Sequence, residues 1–155
     1  LSSMGADVQI NEKQITVKKN QLKGVTVDAS DIPDAVPIIS VVATACKGDT
    51  IIINAGRLRI KESDRIKSVV EMINSVGGSA EETDDGMIIH GGNTLAGGIV
   101  NGYNDHRIVM ATAIASTKSK APIIIKGAES VDKSYPGFFD EFNALGGNSY
   151  VISLE

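Results

Sequence analysis

The segment at residues 61–65, which reads KESDR, holds two cations and two acids at the predicted start of a helix. A helix N-terminus presents free N–H groups and partial positive charge, and lysine and arginine side chains add full positive charge. Such a segment could bind a small anion, with Glu62 as a carboxylate that exchanges a proton with the bound molecule. The alternative is an ordinary helix start, in which Ser63 caps the helix, Asp64 complements its dipole and both cations are solvated.

A second polar segment, NDHR at residues 104–107, precedes another apolar helical pattern. Asn104 or Asp105 could serve as the N-cap of this helix, followed by an ordinary polar first turn. His106 and Arg107 would, however, place positive charge in the first turn, where it opposes the helix dipole. A bound anion explains that arginine better than an unoccupied helix start does.

Two further candidates stand at comparable junctions. Asp34 follows Pro33 at the start of an otherwise apolar helix, so it is either a structural first-turn acid or a positioned general base. Lys133 precedes a short SYP segment and is either a surface lysine or a phosphate ligand. Together the candidates favour an enzyme that acts on phosphorylated, carboxylated small molecules. The sequence contains no P-loop, no convincing dinucleotide-binding pattern and no metal-ligand cluster, so neither a cofactor nor a metal is expected.

These junctions need a framework, and hydrophobic periodicity predicts one in which strands and helices alternate. Helices are predicted at 33–47, 63–75, 104–117 and 136–145, because apolar residues and the bounding Pro and Gly residues fit helical spacing. Residues 1–5 resemble the last turn of a helix. The predicted strands lie at 6–10, 15–17, 24–28, 50–54, 79–82, 86–90, 98–102, 122–126 and 149–154, with loops at 55–61 and 129–133.

The framework repeats along the chain. Lys61 and Lys133 are separated by 72 positions, and Asp34 and His106 are separated by the same 72 positions. Stacked repeats bury their faces against one another, which would direct equivalent junctions toward one region. The predicted division is two βαβαββ units at 24–92 and 97–155, preceded by the tail of a truncated unit at 1–23.

The composition limits what the protein can bind. A formal net charge of −4 argues against a general nucleic-acid binder, since such proteins carry a basic surface. A local cluster of Lys and Arg can still bind a small anion. The single cysteine, Cys46, lies in an apolar run, so we expect it to be buried and the protein to be cytoplasmic. The sequence has no run of about 18 apolar residues, so no membrane association is expected.

Four motifs resemble those of the EPSP synthases, a family of the enolpyruvyl transferase superfamily, in that family's order and approximate spacing. They are IPDA at 32–35, LRIKESDR at 58–65, YNDHR at 103–107 and KSYPGFF at 133–139. The resemblance implies an α/β (α+β) fold of repeated βαβαββ units, with helices inward and mixed sheets outward, as an inside-out α/β barrel. It also implies the shikimate pathway reaction of aromatic amino acid biosynthesis. In that reaction the enolpyruvyl group of phosphoenolpyruvate passes to the 5-hydroxyl of shikimate 3-phosphate, and phosphate is released.

The same resemblance implies two catalytic residues. Asp34 resembles the residue that takes the proton from the attacking hydroxyl. Glu62 resembles the residue that handles the proton at the methylene carbon of phosphoenolpyruvate. Both roles require a carboxylate, and nearby cations would bias each toward its ionised form.

The remaining candidates resemble substrate ligands of that family. Lys61 resembles a ligand of shikimate 3-phosphate, and Lys133 resembles the ligand of the phosphate of phosphoenolpyruvate. Arg65 and Arg107 resemble the pair that binds its carboxylate, for which a planar bidentate donor is suited. His106 lies beside the site, and the same pocket in this family binds glyphosate.

In this family the active site lies in a cleft between two domains, and further substrate contacts come from the N-terminal domain. The sequence begins with Leu1 rather than with a methionine. We therefore expect a C-terminal part that lacks the N-terminal domain of an enzyme that is monomeric when complete. By itself this part is expected to fold but not to catalyse the reaction. One departure from some family members is Arg57, where they carry an asparagine that contacts shikimate 3-phosphate.

Two alternatives remain open at the level of sequence. The related transferase that acts on UDP-N-acetylglucosamine shares the fold and the donor, but it is expected to lack KESDR together with NDHR. A non-catalytic anion-binding or assembly module would tolerate the loss of Asp34 and Glu62. Activity of the complete protein with shikimate 3-phosphate and with UDP-N-acetylglucosamine therefore tests the first alternative. Turnover after Asp34→Ala and Glu62→Ala tests the second.

Overall fold

A computed structural model describes residues 1–152 of the chain. Helices and strands alternate along this part, as the hydrophobic pattern predicts. Short 3₁₀ helices at Ser2–Met4, Pro33–Ala35, Gly56–Ile60 and Ala128–Lys133 lead into or connect the longer elements. In chain order these are β1 (Asp7–Ile10), β2 (Ile15–Lys18), β3 (Thr26–Asp28), α1 (Val36–Thr44), β4 (Thr50–Ile53), α2 (Arg65–Ser75), β5 (Ser79–Thr83), β6 (Gly86–His90), β7 (Gly98–Asn101), α3 (His106–Ser116), β8 (Ile123–Lys126) and α4 (Phe138–Ala144).

The largest sheet has the strand order β3-β4-β6-β5 and is mixed. β3 pairs with β4 in parallel, whereas β6 is antiparallel to both β4 and β5. β7 and β8 form a second parallel pair, and β1 and β2 form an antiparallel hairpin. Parallel neighbours need a crossover connection, which α1 supplies between β3 and β4 and α3 supplies between β7 and β8. The largest sheet is thus mixed, as the resemblance implies, whereas within residues 1–152 each two-stranded sheet is purely parallel or purely antiparallel.

The helices α1, α2 and α3 pack against the strands and against one another. In β4, Ile52 is fully buried, whereas Ile51 and Ile53 on the opposite face are each 40% exposed. Ile66 and Ile73 of α2 are also buried. Because strand side chains alternate between faces, one face of the sheet meets the helices and the other faces outward.

Cys46 lies in the core, as its apolar neighbours predict. Its side chain is a buried free thiol, and burial raises the pKa of that thiol. Within residues 1–152, no helix has both the length and the apolar character needed to cross a membrane.

An asparagine contact recurs after two of the helices. Near the end of α2, Nδ2 of Asn74 donates to the carbonyl of Ala80 at 3.0 Å, and its Oδ1 accepts from the same residue's N–H at 2.8 Å. Near the end of α4, Asn143 makes the same two contacts with Ser149, at 3.2 and 2.7 Å. Asn143 lies 69 positions after Asn74, and Ser149 lies 69 positions after Ala80. Local geometry therefore repeats at these two places, while the division of the chain into repeats stays a prediction.

Some predicted elements differ from the structure. The helix predicted at 33–47 begins as a 3₁₀ turn and ends earlier, at Thr44. The loops predicted at 55–61 and 129–133 contain 3₁₀ helices, which are too short for apolar periodicity to indicate. Residues 149–152 form no strand, and residues 153–154 of that predicted strand lie outside the described residues. A strand requires partners for its N–H and C=O groups, and nothing in residues 1–152 pairs with this segment.

Candidate active site

Three helix starts meet within the described structure. Asp34 lies in the 3₁₀ turn that leads into α1, Arg65 is the first residue of α2, and Asp105 is the N-cap of α3. Hydrogen bonds join Arg65 to Asp34 and to Asp105, across 31 and 40 positions of the sequence. The fold thus brings together junctions that lie far apart along the chain.

The guanidinium of Arg65 is the centre of this site, and its side chain is only 1% exposed. Its Nε donates to Asp105 at 2.8 Å, its Nη1 donates to Asp34 at 2.7 Å, and its Nη2 donates to Glu62. Burial alone would lower the pKa of Arg65, but the hydrogen bonds and charges of these carboxylates outweigh it and raise the pKa. The N–H donors of a buried guanidinium need hydrogen-bond acceptors, and its charge needs opposite charges nearby. Three carboxylates supply both.

The start of α2 is set by Asp64 and not by Ser63. The Asp64 carboxylate accepts from the N–H of Lys67 at 3.2 Å, so Asp64 is the N-cap. The expectation that Ser63 caps this helix is wrong. The Ser63 hydroxyl instead donates to Asp105 at 3.0 Å, because it lies on the side of the loop that faces α3. The loop before α2 is therefore held at both residues.

Asp34 is a partly exposed member of the network, with 53% of its side chain accessible. One of its oxygens accepts from Arg65, and the other accepts from Nη2 of Arg107 at 3.0 Å. Burial alone would raise the pKa of Asp34. The hydrogen bond from Arg65 and the charges of Arg107, Arg65 and Lys61 outweigh burial, so the pKa lies below its ordinary value. Asp34 is thus an ionised carboxylate open to solvent, as a general base must be.

Asp105 is the residue whose importance the sequence did not reveal, since it was expected only as a possible cap. It does cap α3, by accepting the backbone N–H of Arg107 at 3.0 Å, but it is also fully buried against Arg65. Burial alone would raise the pKa of Asp105, and the hydrogen bonds from Arg65 and from the Arg107 backbone lower it instead. One signal could have revealed the pair. Arg65 shares a helical stripe with the buried Val69 and Met72, and a buried arginine requires a nearby acid.

Glu62 and Lys61 lie on the exposed side of the same guanidinium. The Glu62 side chain is 43% exposed, and it accepts from Nη2 of Arg65 while Asp34 accepts from Nη1. Lys61 is exposed, and its charge helps to lower the pKa of Asp34. Two solvent-accessible carboxylates on neighbouring nitrogens of one guanidinium could each exchange a proton with the same bound molecule.

The start of α3 supplies the remaining candidates. His106 is 8% exposed, and its Nδ1 has no hydrogen-bond partner in the described part of the chain. The buried Nε of Arg107 likewise has no partner within residues 1–152. Lys133 donates from Nζ to the carbonyl and to the side-chain oxygen of Asn104, at 2.8 and 2.6 Å. Because Asn104 immediately precedes Asp105, Lys133 lies next to the Arg65 network.

A groove of about 210 Å³ opens beside Asp34 and Arg107. Its remaining walls are mainly apolar side chains of α1 and α3, among them Ile38 and Met110. Residues 1–152 contain no group of three or more His, Cys, Asp and Glu side chains placed to hold a metal ion. A few polar groups beside mainly apolar walls are typical of small-molecule sites, and Arg107 is the group on this groove that could pair with an anion.

Comparison with known proteins decides the family. Residues 1–142 match the family described as EPSP synthase (3-phosphoshikimate 1-carboxyvinyltransferase). The chain belongs to the EPSP synthase family. A 3-phosphoshikimate 1-carboxyvinyltransferase of Clostridium kluyveri is 46% identical over 147 residues, which make up 95% of this chain and 34% of that protein. The resemblance noted from the motifs is therefore confirmed.

Solved structures of related proteins share the fold. An EPSP synthase from Acinetobacter baumannii matches with a TM-score of 0.87 and 28% identity, over 99% of this chain and 38% of that one. The enolpyruvyl transferase NikO from Streptomyces tendae matches with a TM-score of 0.75 and 15% identity, over 95% of this chain and 34% of that one, which shows the fold alone. The chain spans about a third of the length of the curated relative from Clostridium kluyveri. The predicted α/β fold class is confirmed.

The motifs typical of the EPSP synthase family thus meet in space. IPDA contributes Asp34, KESDR contributes Glu62 and Arg65, and NDHR contributes Asp105 and Arg107. All five side chains are joined by direct hydrogen bonds. A single connected network of charged groups therefore links three loop–helix junctions.

Proposed function

We propose that the protein of which this chain forms part transfers the enolpyruvyl group of phosphoenolpyruvate to the 5-hydroxyl of shikimate 3-phosphate and releases phosphate. The observation that carries this proposal is the convergence of Asp34, Glu62 and Asp105 on the guanidinium of Arg65. The relative from Clostridium kluyveri is named for that activity. Because this chain spans about a third of that relative, the remaining substrate contacts are assigned to an N-terminal domain of the complete protein.

Asp34 and Glu62 carry the two proton transfers. Asp34 takes the proton of the 5-hydroxyl as the hydroxyl oxygen bonds to C2 of phosphoenolpyruvate, while Glu62, in its protonated form, gives that proton to the methylene carbon C3. Phosphate then leaves from C2 as Glu62 takes a proton back from C3. The proton held by Asp34 passes to the leaving phosphate, which returns both residues to their starting forms. The lowered pKa of Asp34 supports its role, since a base must be ionised before it can accept a proton.

The cations bind the substrates. Lys61 binds shikimate 3-phosphate, Lys133 binds the phosphate of phosphoenolpyruvate, and Arg65 and Arg107 bind its carboxylate, with His106 beside them. Two parallel N–H donors of a guanidinium match a carboxylate, which is why arginine suits this role.

In the structure, each of the three nitrogens of Arg65 donates to a protein carboxylate. For Arg65 to bind a substrate carboxylate with two parallel N–H groups, Asp34 or Glu62 must therefore give up its hydrogen bond. This exchange would free that carboxylate for proton transfer when the substrate arrives. Asp105, which is buried and also holds the α3 backbone, stays in place and keeps the guanidinium oriented.

The test is phosphate release by the complete protein, measured with phosphoenolpyruvate and each of two acceptors. Turnover is expected with shikimate 3-phosphate and not with UDP-N-acetylglucosamine. Asp34→Asn should reduce kcat by about 10²–10⁴-fold, because a proton-transfer group contributes about that much. Turnover with the nucleotide sugar alone would refute the proposal. Full activity of Asp34→Asn would mean that Asp34 is not the base, and it would favour a role for this chain as a non-catalytic anion-binding module of the complete protein. A cytoplasmic location and a monomeric state remain predictions.

A further inference from the structure

The turn between β7 and α3 carries contacts to three residues of the site. Its Asn104 accepts two hydrogen bonds from Nζ of Lys133. Its Asp105 accepts from the side chain of Arg65 and from the backbone N–H of Arg107. The positions of these three cations therefore depend on the geometry of one short turn.

The backbone of this turn is in an unfavourable conformation. Tyr103 and Asn104 both have a φ of +54°. Asparagine visits this left-handed region fairly often, whereas a bulky residue such as tyrosine does so rarely. Such a conformation persists only where the surroundings enforce it. Contacts of Tyr103 with its neighbours must therefore hold the turn.

Two hydrogen bonds hold Tyr103. Its N–H donates to Oδ1 of Asn101 at 2.8 Å, and its hydroxyl donates to the carboxylate of Glu71 in α2. Its half-buried ring also packs against the core. Burial, together with the hydrogen bond and charge of Glu71, raises the pKa of Tyr103 to about 12. The hydroxyl therefore keeps its proton and remains a donor at neutral pH.

We propose that Tyr103 is a positioning residue, which fixes the left-handed turn to α2 through its hydrogen bond to Glu71. α2 begins with Arg65, so the contact joins the turn to the helix whose first residue Asp105 binds. It acts as a second link between α2 and the start of α3, in addition to the Arg65–Asp105 pair. Within residues 1–152, Tyr103 has only one other hydrogen bond, in which its N–H donates to Asn101. Loss of the Glu71 contact therefore removes the only hydrogen bond of the Tyr103 side chain that, in this part of the protein, holds Tyr103 itself in the left-handed conformation.

The catalytic consequence rests on the proposed function, in which Lys133 and Arg107 bind phosphoenolpyruvate. Lys61, which is there assigned to shikimate 3-phosphate, makes no hydrogen bond to the turn within residues 1–152, and its loop reaches the turn through Ser63 on Asp105, whereas Lys133 bonds directly to Asn104. Because Asp105 is also held by Arg65, loosening the turn at Tyr103 should weaken binding of phosphoenolpyruvate and leave the affinity for shikimate 3-phosphate nearly unchanged. A general loss of stability would not separate the two substrates in this way.

The experiment compares Tyr103→Phe in the complete protein with Tyr150→Phe, which removes a hydroxyl from a side chain that is 77% exposed. Tyr103→Phe should raise the KM for phosphoenolpyruvate by about 10-fold, since small displacements of positioning groups cost about 10–100-fold. The KM for shikimate 3-phosphate should change less than about two-fold, the scatter expected of a site that keeps its geometry. Glu71→Gln, which still accepts a hydrogen bond, should have a smaller effect than Glu71→Ala.

Amide hydrogen exchange provides a readout that needs no turnover. In Tyr103→Phe, the amides of residues 105–108 should exchange about 10-fold faster than in Tyr150→Phe, because local opening becomes easier. Equal exchange in the two variants overturns the inference, and so does an equal rise of both KM values. If the unchanged protein releases no phosphate, the proposed function fails and hydrogen exchange alone decides the role of Tyr103. Should Tyr103→Phe not fold, Glu71→Ala tests the same contact by the same exchange measurement.

Discussion

Replacement of Asp105 by alanine removes contacts to three residues at once. The fully buried carboxylate accepts from Nε of Arg65 at 2.8 Å, from the backbone N–H of Arg107 at 3.0 Å and from the Ser63 hydroxyl at 3.0 Å. The substitution leaves a buried guanidinium with only the partly exposed carboxylates of Asp34 and Glu62, and it removes the cap of α3. We therefore expect a large loss in the free energy of unfolding.

The size of this loss follows from its two largest parts, the ion pair and the helix cap. Removing one partner of a buried ion pair costs about 3–5 kcal/mol, and the lower end, about 3 kcal/mol, applies because Arg65 keeps two carboxylates. Loss of the N-cap adds about 1 kcal/mol. The total of about 4 kcal/mol is a large share of the roughly 5–15 kcal/mol that stabilises a typical domain. Asp105→Asn keeps a cap and an acceptor, so its cost should be about 2 kcal/mol.

The assay is urea unfolding of the 155-residue chain, followed by far-UV circular dichroism. Asp31→Asn, at an exposed position, serves as the control and should change the free energy of unfolding by less than about 0.5 kcal/mol. If Asp105→Ala costs no more than Asp31→Asn, the buried guanidinium does not depend on Asp105 and the reasoning is wrong. If Asp105→Asn costs as much as Asp105→Ala, the cap contributes nothing and the separation of the two parts fails.

Further predictions concern pH, catalysis and the isolated chain. The pKa of Asp105 is lowered in the folded protein, so its stabilisation is complete above the unfolded pKa near 3.8 and is lost as pH falls through the lower folded value. The free energy of unfolding should therefore fall as the pH is lowered through about 4, less steeply in Asp105→Asn, as urea titrations at several pH values would reveal. Glu62→Gln should reduce kcat of the complete protein by about 10²–10⁴-fold in a phosphate-release assay, and an unchanged kcat would exclude its proton-transfer role. Lys133→Met should raise the KM for phosphoenolpyruvate, whereas Lys126→Met, at an exposed position on β8, should not. The isolated chain should show a cooperative unfolding transition but no turnover, and phosphate release from it would contradict the assignment of essential contacts to an N-terminal domain.

The order of helices and strands was predictable because it depends on local patterns. The apolar residues of α2 recur at helical spacing, and the Gly-Gly pair at 77–78 ends that helix where a left-handed cap is needed, with φ +84° at Gly77. Boundaries were less accurate where two residues compete for one role. Ser63 and Asp64 are both good caps, and the choice between them depended on the attraction of Ser63 to Asp105.

The charged network was only partly predictable. The sequence singled out Asp34, Glu62, Arg65 and Arg107 from residue type and position. It did not show that Arg65 would be fully buried among carboxylates, because its partner Asp105 lies 40 positions away on another helix. Such a pairing depends on how the helices pack, which short-range spacing does not encode.

The sequence by itself determined the family, the alternation of elements and the set of charged residues at the helix starts, since motifs and periodicity are local properties of the chain. Only the tertiary structure decided which acid balances which cation, and it placed Tyr103 in a left-handed turn held by Glu71. The physical reason is burial. A buried charge and a left-handed turn each need a stabilising partner, and that partner can lie far away in the sequence. It becomes identifiable only when folding brings the two together.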